Sequence, residues 1–156
     1  MNSAPYRAGD LTDWGAVLAL IRAEFAYMEG QIDPPSSMYQ LTDAAIAAQA
    51  RAGEVWLIGA PPVACIFLTA KPPVLYLGKL AVASAMRRRG LAQALMTVAK
   101  GRARALGLPV LQLQTRVELV ENHAAFAAMG FRQTAATAHP GYESPTSLTF
   151  ERPVSS

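Results

Sequence analysis

Apolar residues recur along this chain with two different periods, and the switches between them divide it into elements. Trp14, Val17, Leu18, Ile21, Phe25 and Met28 lie at helical spacing, with Asp10 placed to cap the helix and Gly30 to close it. Pro34 and Pro35 forbid helix in the loop that follows. A second helix, capped by Thr42, is expected to run to Arg51 ahead of Gly53. Three strand-like runs come next, over residues 55–58, 63–70 and 74–82, separated by Pro61-Pro62 and Lys71-Pro72-Pro73. Links this short predict antiparallel hairpins. Residues 90–106 then return to helical spacing, with Leu91, Leu95, Val98 and Leu106 on the apolar side and Gln93, Thr97, Lys100 and Arg104 opposite. Gly107 and Pro109 stop that helix. A strand over 110–115, a short helix over 122–129 ending at Gly130, and strands over 131–137 and 147–152 complete the chain.

Helices, a strand meander, then strand, helix, strand, helix and two strands: this order predicts a mixed α/β (α+β) domain. Its sheet is mostly antiparallel, with one parallel crossover and flanking helices. The 156 residues fit one domain, expected to span 1–156. Apolar residues make up 52% and charged ones 16%, which separates the chain from disordered sequences. No apolar run approaches the ~20 residues that span a bilayer, so no membrane partner is expected. The opening residues Met1-Asn2-Ser3-Ala4-Pro5-Tyr6-Arg7 lack the apolar segment of a secretory signal, and the cytoplasm is the expected location. Cys65 is the single cysteine; inside an apolar run it reads as a buried, inert thiol.

The net charge of +3 invites an anionic partner, and its one dense focus is Arg87, Arg88 and Arg89. Nucleic-acid binders more often carry a long basic stripe interleaved with aromatic residues, and none is present, so a small anion fits better. The stretch Arg87-Arg88-Arg89-Gly90-Leu91-Ala92 joins a strand to an amphipathic helix. Small residues at Gly90 and Ala92 admit close approach of a ligand to the backbone. The first turn of the helix offers N–H groups without intrahelical partners, and the dipole adds positive potential. Arginines at a helix start oppose that dipole, so on stability grounds acids are preferred there. A docked anion makes sense of the cluster; the plainer alternative is a solvated basic turn. Other chemistries lack their signatures. There is no Gly-x-x-x-x-Gly-Lys-Ser/Thr, no Gly-x-Gly-x-x-Gly and no Gly-x-Ser-x-Gly. Two histidines and one cysteine without ligand spacing do not make a zinc centre, and no metal is expected.

The basic turn resembles the acetyl-coenzyme A loop of the GNAT superfamily of N-acetyltransferases, Arg/Gln-x-x-Gly-x-Gly/Ala between a strand and a helix. Leu80-Ala81-Val82 ahead of it, and the later Asn122, short helix and Gly130-Phe131, match the family in order and spacing. The likeness covers residue 55 to the end. It implies a central sheet of about six to seven strands, splayed at the cofactor, with Gly78 marking an accompanying bulge. It implies that the backbone of Leu80, Ala81 and Val82 pairs with the pantetheine arm of acetyl-coenzyme A. Amides from Arg88 through Arg89, Gly90 and Leu91 to Ala92, with Arg87 nearby, would hold the pyrophosphate. Asn122 and Phe126 would lie along the arm. Asn122 also reads as a helix N-cap, Gly130 as a C-cap and Phe131 as core.

The activity so implied is transfer of an acetyl group from acetyl-coenzyme A to a primary amine, by direct attack in a ternary complex. One position departs from the family: Phe126 stands where many members carry a tyrosine that protonates the leaving thiolate. A thiol pKa near 8.5 makes that loss tolerable. Neutralising an alkylamine at pH 7 costs roughly 4–5 kcal/mol, so a base near the thioester is useful. Glu24, Glu29, Glu118, Glu121, His123 and His139 are the groups available. His139, Tyr142 and Glu118 form the expected catalytic set, because the loop holding the first and second borders the acceptor in family members. Two other readings remain: a non-catalytic acyl-coenzyme A sensor, which Phe126 permits, and a nucleic-acid binder built on the three arginines. The acceptor is an amine, small molecule or protein, with no readable code, and a homodimer is compatible with the family.

Overall fold

A seven-stranded sheet forms the middle layer of the computed structural model, which describes residues 4–155. Residues 1–3, the start of the segment read for a targeting signal, lie outside the described residues, as does residue 156. The strands are β1 (Tyr6–Arg7), β2 (Glu54–Ile58), β3 (Ala64–Lys71), β4 (Val74–Val82), β5 (Val110–Arg116), β6 (Arg132–Thr137) and β7 (Ser147–Pro153). Their spatial order is β1-β2-β3-β4-β5-β7-β6. Every neighbouring pair is antiparallel except β4 and β5. A parallel neighbour needs a long crossover, and the segment with α3 (Leu91–Leu106) supplies it. The other helices are α1 (Trp14–Phe25), α2 (Asp43–Ala52) and α4 (Val120–Ala128). Among the described residues no helix is long and apolar enough to cross a membrane.

The strands expected from sequence are present to within a residue or two, and the helices differ in instructive ways. Asp13, not Asp10, caps α1: its carboxylate accepts from the Ala16 N–H at 3.1 Å. That helix stops at Phe25, and a tighter 3-10 turn over Ala26–Met28 replaces its expected last turn. α4 begins at Val120 behind Leu119, so Asn122 sits inside its first turn and does not cap it. On α3 the buried stripe is Leu91, Leu95, Met96, Ala99 and Ala103, while Leu106 is exposed. The two alanines let the helix lie close on the sheet, a contact that a search for large apolar residues passes over. β1, two exposed residues long, carried no periodic signal.

Two cores flank the sheet. Ile66, Leu68, Leu75 and Leu77 pack under α3, whereas Val55, Leu57, Cys65 and Phe67 face α1 and α2. Alternation along β4 breaks once. Leu75 and Leu77 face α3, and so do Leu80 and Val82, three residues on rather than two. Between the pairs Phe67↔Gly78 and Cys65↔Ala81, β4 advances three residues while β3 advances two. The extra residue is a bulge, and without it Leu80 and Val82 would turn to the opposite face. The expected marker, Gly78, borders this bulge, but the left-handed backbone belongs to Lys79, with φ of 44°.

α3 is fixed over the sheet by a buried acid. Glu54, 6% exposed, accepts from Arg102 Nε at 2.8 Å and Nη2 at 2.9 Å, and from Trp56 Nε1 at 2.8 Å. Burial alone would raise its pKa; the hydrogen bonds from Arg102 and Trp56 outweigh burial and hold it below the ordinary 4.5. A depressed carboxylate pKa adds stability above the unfolded value, and that stability drains away as pH falls through the folded value. Melting temperatures measured from neutral pH downward should therefore drop below about pH 4.5. Arg102→Ala, which strands a buried carboxylate, should cost about 2–3 kcal/mol at neutral pH and flatten that acid limb. An acid limb identical in the two proteins would remove Glu54 from the account.

Candidate active site

Pairing between β4 and β5 runs from Val74↔Val110 to Leu77↔Leu113 and ends there. Beyond that point β4 stays with β3 as far as Val82↔Ala64, and β5 stays with β7 as far as Arg116↔Ser147. The sheet forks. Ala83 N–H donates to Val63 O at 2.7 Å, so alternation turns the Val82 and Leu80 amides toward the edge that β5 has left. A cleft of about 820 Å³ opens at the fork. Leu80 lines it from the β4 side; Thr115, Asn122 and Phe126 line it from the β5–α4 side. Thr115 Oγ1 is buried and has no hydrogen-bond partner among the described residues.

The triple-arginine turn lies outside the wall of this cleft, at the start of α3. Arg88 and Gly90 both adopt left-handed backbone, with φ of 64° and 76°. Such alternation in a short turn points successive N–H groups to one side and makes an anion-binding concavity. Gly90 is the N-cap, has no side chain to accept from the first-turn amides, and the first turn holds no acid. Two of the arginines, Arg88 and Arg89, make no ion pair among the described residues. Arg87 differs: its Nη2 lies 3.3 Å from Glu24 Oε1. The same carboxylate, on the last turn of α1, accepts from Ser84 Oγ at 3.0 Å. Glu24, 8% exposed, therefore braces the turn instead of facing a substrate.

The expected catalytic residues separate. His139 lines the cleft; its Nδ1 meets Thr146 Oγ1, and its Nε2 has no partner among the described residues. Tyr142 and Glu118 stay outside the cleft wall and converge on one loop residue, Asp33. The Tyr142 hydroxyl donates to Asp33 Oδ1 at 2.5 Å, a bond that pushes the phenol's pKa up. Glu118 Oε2 accepts from the Asp33 N–H at 3.1 Å. Of the other acid–base candidates, His123 Nε2 is bonded to Arg116 O at 2.9 Å, and Glu29 and Glu121 are exposed. Phe126 packs its ring against Phe131 and Phe150, with centroids 6.1 and 6.3 Å away.

Sequence reasoning passed over three residues of the cleft. Tyr76 presents a phenol whose pKa burial raises. Lys79 projects from the β4 bulge, with Nζ 3.4 Å from Ser37 Oγ. Arg116 ends β5 and donates to the carbonyls of Pro34 and Pro35 at 2.6 and 3.1 Å. For Lys79 a signal existed: apolar positions 75, 77, 80 and 82 skip a beat at the bulge that carries it. Cys65 fills the role expected of it. Burial pushes its thiol up to about 12, which leaves no thiolate to attack a thioester. No cluster of three or more His, Cys, Asp or Glu among the described residues could hold a metal ion.

A sequence model described as the Acetyltransferase (GNAT) family matches residues 15–131. No match was found among curated proteins. Solved structures share the fold at low identity. The ribosomal-protein-S18-alanine N-acetyltransferase from Escherichia coli superposes with a TM-score of 0.70 at 16% identity, over 99% of this chain and 94% of that one. A probable acetyltransferase from Staphylococcus epidermidis reaches a TM-score of 0.76 at 11% identity, over 98% and 99%. A Bacillus subtilis acetyltransferase in complex with CoA reaches 0.65 at 14% identity, over 96% and 97%. Matched over most of its length, with a forked sheet between two helical layers, this chain belongs to the GNAT family of acetyltransferases.

Proposed function

We propose that this protein transfers an acetyl group from acetyl-coenzyme A to a primary amine by direct attack in a ternary complex. The observation that carries the reading is the fork after Leu77 and Leu113, which exposes a strand edge inside a cleft. The groups around it fit the cofactor. The unpaired edge at Leu80 and Val82 suits the amides of a pantetheine arm. Thr115 Oγ1 is a buried polar atom in need of a partner, and Asn122 lines the same cleft. The α3 turn, with its free amides and Arg88 and Arg89, suits a pyrophosphate. Acetyl-coenzyme A supplies an activated acyl carbon.

In this reading the amine nitrogen forms a bond to the acetyl carbon as the carbon–sulfur bond breaks, and the bond pair leaves on sulfur. The proton lost from nitrogen passes to His139 Nε2, and the thiolate takes one from water. His139 serves because it is the candidate base on the cleft wall, held through Nδ1 by Thr146. Burial of Cys65 supports direct attack over an acyl-enzyme. Phe126 keeps a second reading in play, an acyl-coenzyme A sensor, since it brings a packed ring where an acid is expected. Titration calorimetry with acetyl-coenzyme A, followed by thiol release over an amine panel, separates the two. Binding with turnover is expected, and binding without turnover on any amine would favour the sensor.

The cofactor assignment has its own check at Gly90. A Cβ there meets no protein atom within 4 Å, so the only internal obstacle to a side chain is the positive φ. Asparagine tolerates that backbone far better than valine does. Gly90→Asn should keep its melting temperature within a few degrees and weaken acetyl-coenzyme A binding at least about tenfold, because its side chain intrudes on the anion seat. Unchanged affinity would take the pyrophosphate away from this turn.

A further inference from the structure

The acceptor end of the cleft has a charge pattern that bears on the amine itself. Phe25, Met28, Phe67 and Tyr76 give it apolar and aromatic walls. Lys79 and Arg116 stand on opposite arms of the fork, and both contact the same overlying segment, at Ser37 and at Pro34 and Pro35. Among the described residues no aspartate or glutamate lines the cleft. Of the acids on the surrounding elements, Glu24 bonds Ser84 and Arg87, Asp33 bonds Tyr142 and Glu118 accepts from the Asp33 N–H, while Glu29 and Glu121 are exposed and lie outside the cleft wall. Two cations thus share a partly dehydrated space, and neither makes an ion pair within 4 Å among the described residues. Burial, and then the charge of Arg116, pull the Lys79 ammonium below the usual lysine range. Arg116 spends two of its five N–H donors on the proline carbonyls, and Lys79 makes one long contact, so several charged donors remain for a ligand. The pyrophosphate does not need them, since its proposed seat lies outside this wall.

We propose that the acceptor is a small α-amino acid, with its carboxylate held between Lys79 and Arg116 and an apolar side chain against Phe25, Phe67 and Tyr76. The inference rests on the acetyltransferase reading and names its substrate class. Planar guanidinium and flexible ammonium groups both suit a carboxylate, and the aromatic walls suit the side chain. Polyamines and aminoglycosides, which are polycations, meet two like charges there and no acid.

Thiol release from acetyl-coenzyme A is the measurement, with each amino acid paired with its decarboxylated amine: phenylalanine with phenethylamine, tryptophan with tryptamine, leucine with isoamylamine. At least one amino acid should exceed its amine in kcat/KM by about tenfold or more. Lys79→Met and Arg116→Gln should each collapse that ratio toward one, and Lys79→Arg should retain part of it. Arg116 also anchors the overlying segment, so Lys79→Met decides the matter if the arginine variant fails to fold. Amines or spermidine outperforming every amino acid would overturn the proposal. So would a preference for succinyl-coenzyme A with carboxylate-free amines, which would assign the carboxylate to the acyl group. Calorimetry keeps the two levels distinct. Failure to bind acetyl-coenzyme A refutes the enzyme reading, whereas binding with turnover of the carboxylate-free amines alone refutes only the amino-acid acceptor. If acetyl-coenzyme A binds and neither amines nor amino acids turn over, the amino-acid acceptor is overturned together with the acetyltransferase reading, and the sensor reading takes its place.

Discussion

Four residues of β4 pair in parallel with four of β5, and then the strands part, each keeping its antiparallel partner on the outer side. Almost everything functional about this chain depends on that separation. A sheet interrupted in its middle leaves backbone donors and acceptors without a ladder, and each costs roughly 1–3 kcal/mol if it stays buried and unsatisfied. The fold tolerates this because the two halves have independent support: β1–β4 hold one another on one side, and β5, β7 and β6 on the other. The unpaired edge is then a binding surface, available to any ligand that brings amides in an extended conformation.

Where the strands part, the backbone is strained, and the strain is local. Lys79 and Arg88 are the two non-glycine residues with positive φ among those described. One sits at the bulge that opens the fork, the other in the turn that starts α3. Backbone of this kind costs of order 1–3 kcal/mol and persists only where the surroundings impose it. At Lys79 the buried Cys65 thiol donates to the carbonyl, and around α3 the surroundings are two buried acids. Glu24 reaches from α1 to Ser84 and Arg87, ahead of α3, and Glu54 reaches from β2 to Arg102 near its end. The helix is pinned at both ends, so its amino terminus is held at a fixed place beside the fork.

Much of this arrangement was legible along the chain, for reasons that can be named. Long alternating runs and glycine or proline stops made the larger strands and α3 readable, and the Arg87, Gly90 and Ala92 spacing is local, so the proposed anion seat was readable too. What sequence could not convey was long-range. Asp13 and Asp10 are both plausible caps by type, and the structure places the former at the start of α1. Glu24 stood among the six available acid–base groups because nothing nearby in sequence shows that Ser84 and Arg87, about sixty residues later, take up its carboxylate. Lys79 and Arg116 are unremarkable lysine and arginine until the fork brings them to face one cleft.

The segment around Asp33 shows how a residue chosen for chemistry can serve shape. Tyr142 and Glu118 carry the functional groups an acyl transfer calls for, yet both are spent on Asp33, and Arg116 holds the two prolines that follow. Three side chains, two from the β5–α4 segment and Tyr142 from the β6–β7 loop, thus fasten a proline-stiffened segment that belongs to the α1 side, and they bridge the fork from outside. Proline fixes φ and limits the freedom of the free segment, so fastening it costs less ordering than a flexible loop would. The consequence is that the proposed acceptor end has a roof set by tertiary contacts, and its shape depends on three side chains, two of which, Tyr142 and Glu118, lie outside the cleft wall. In such a design acceptor choice can change through the roof and the two cations beneath it, while the fork and the α3 turn stay as they are.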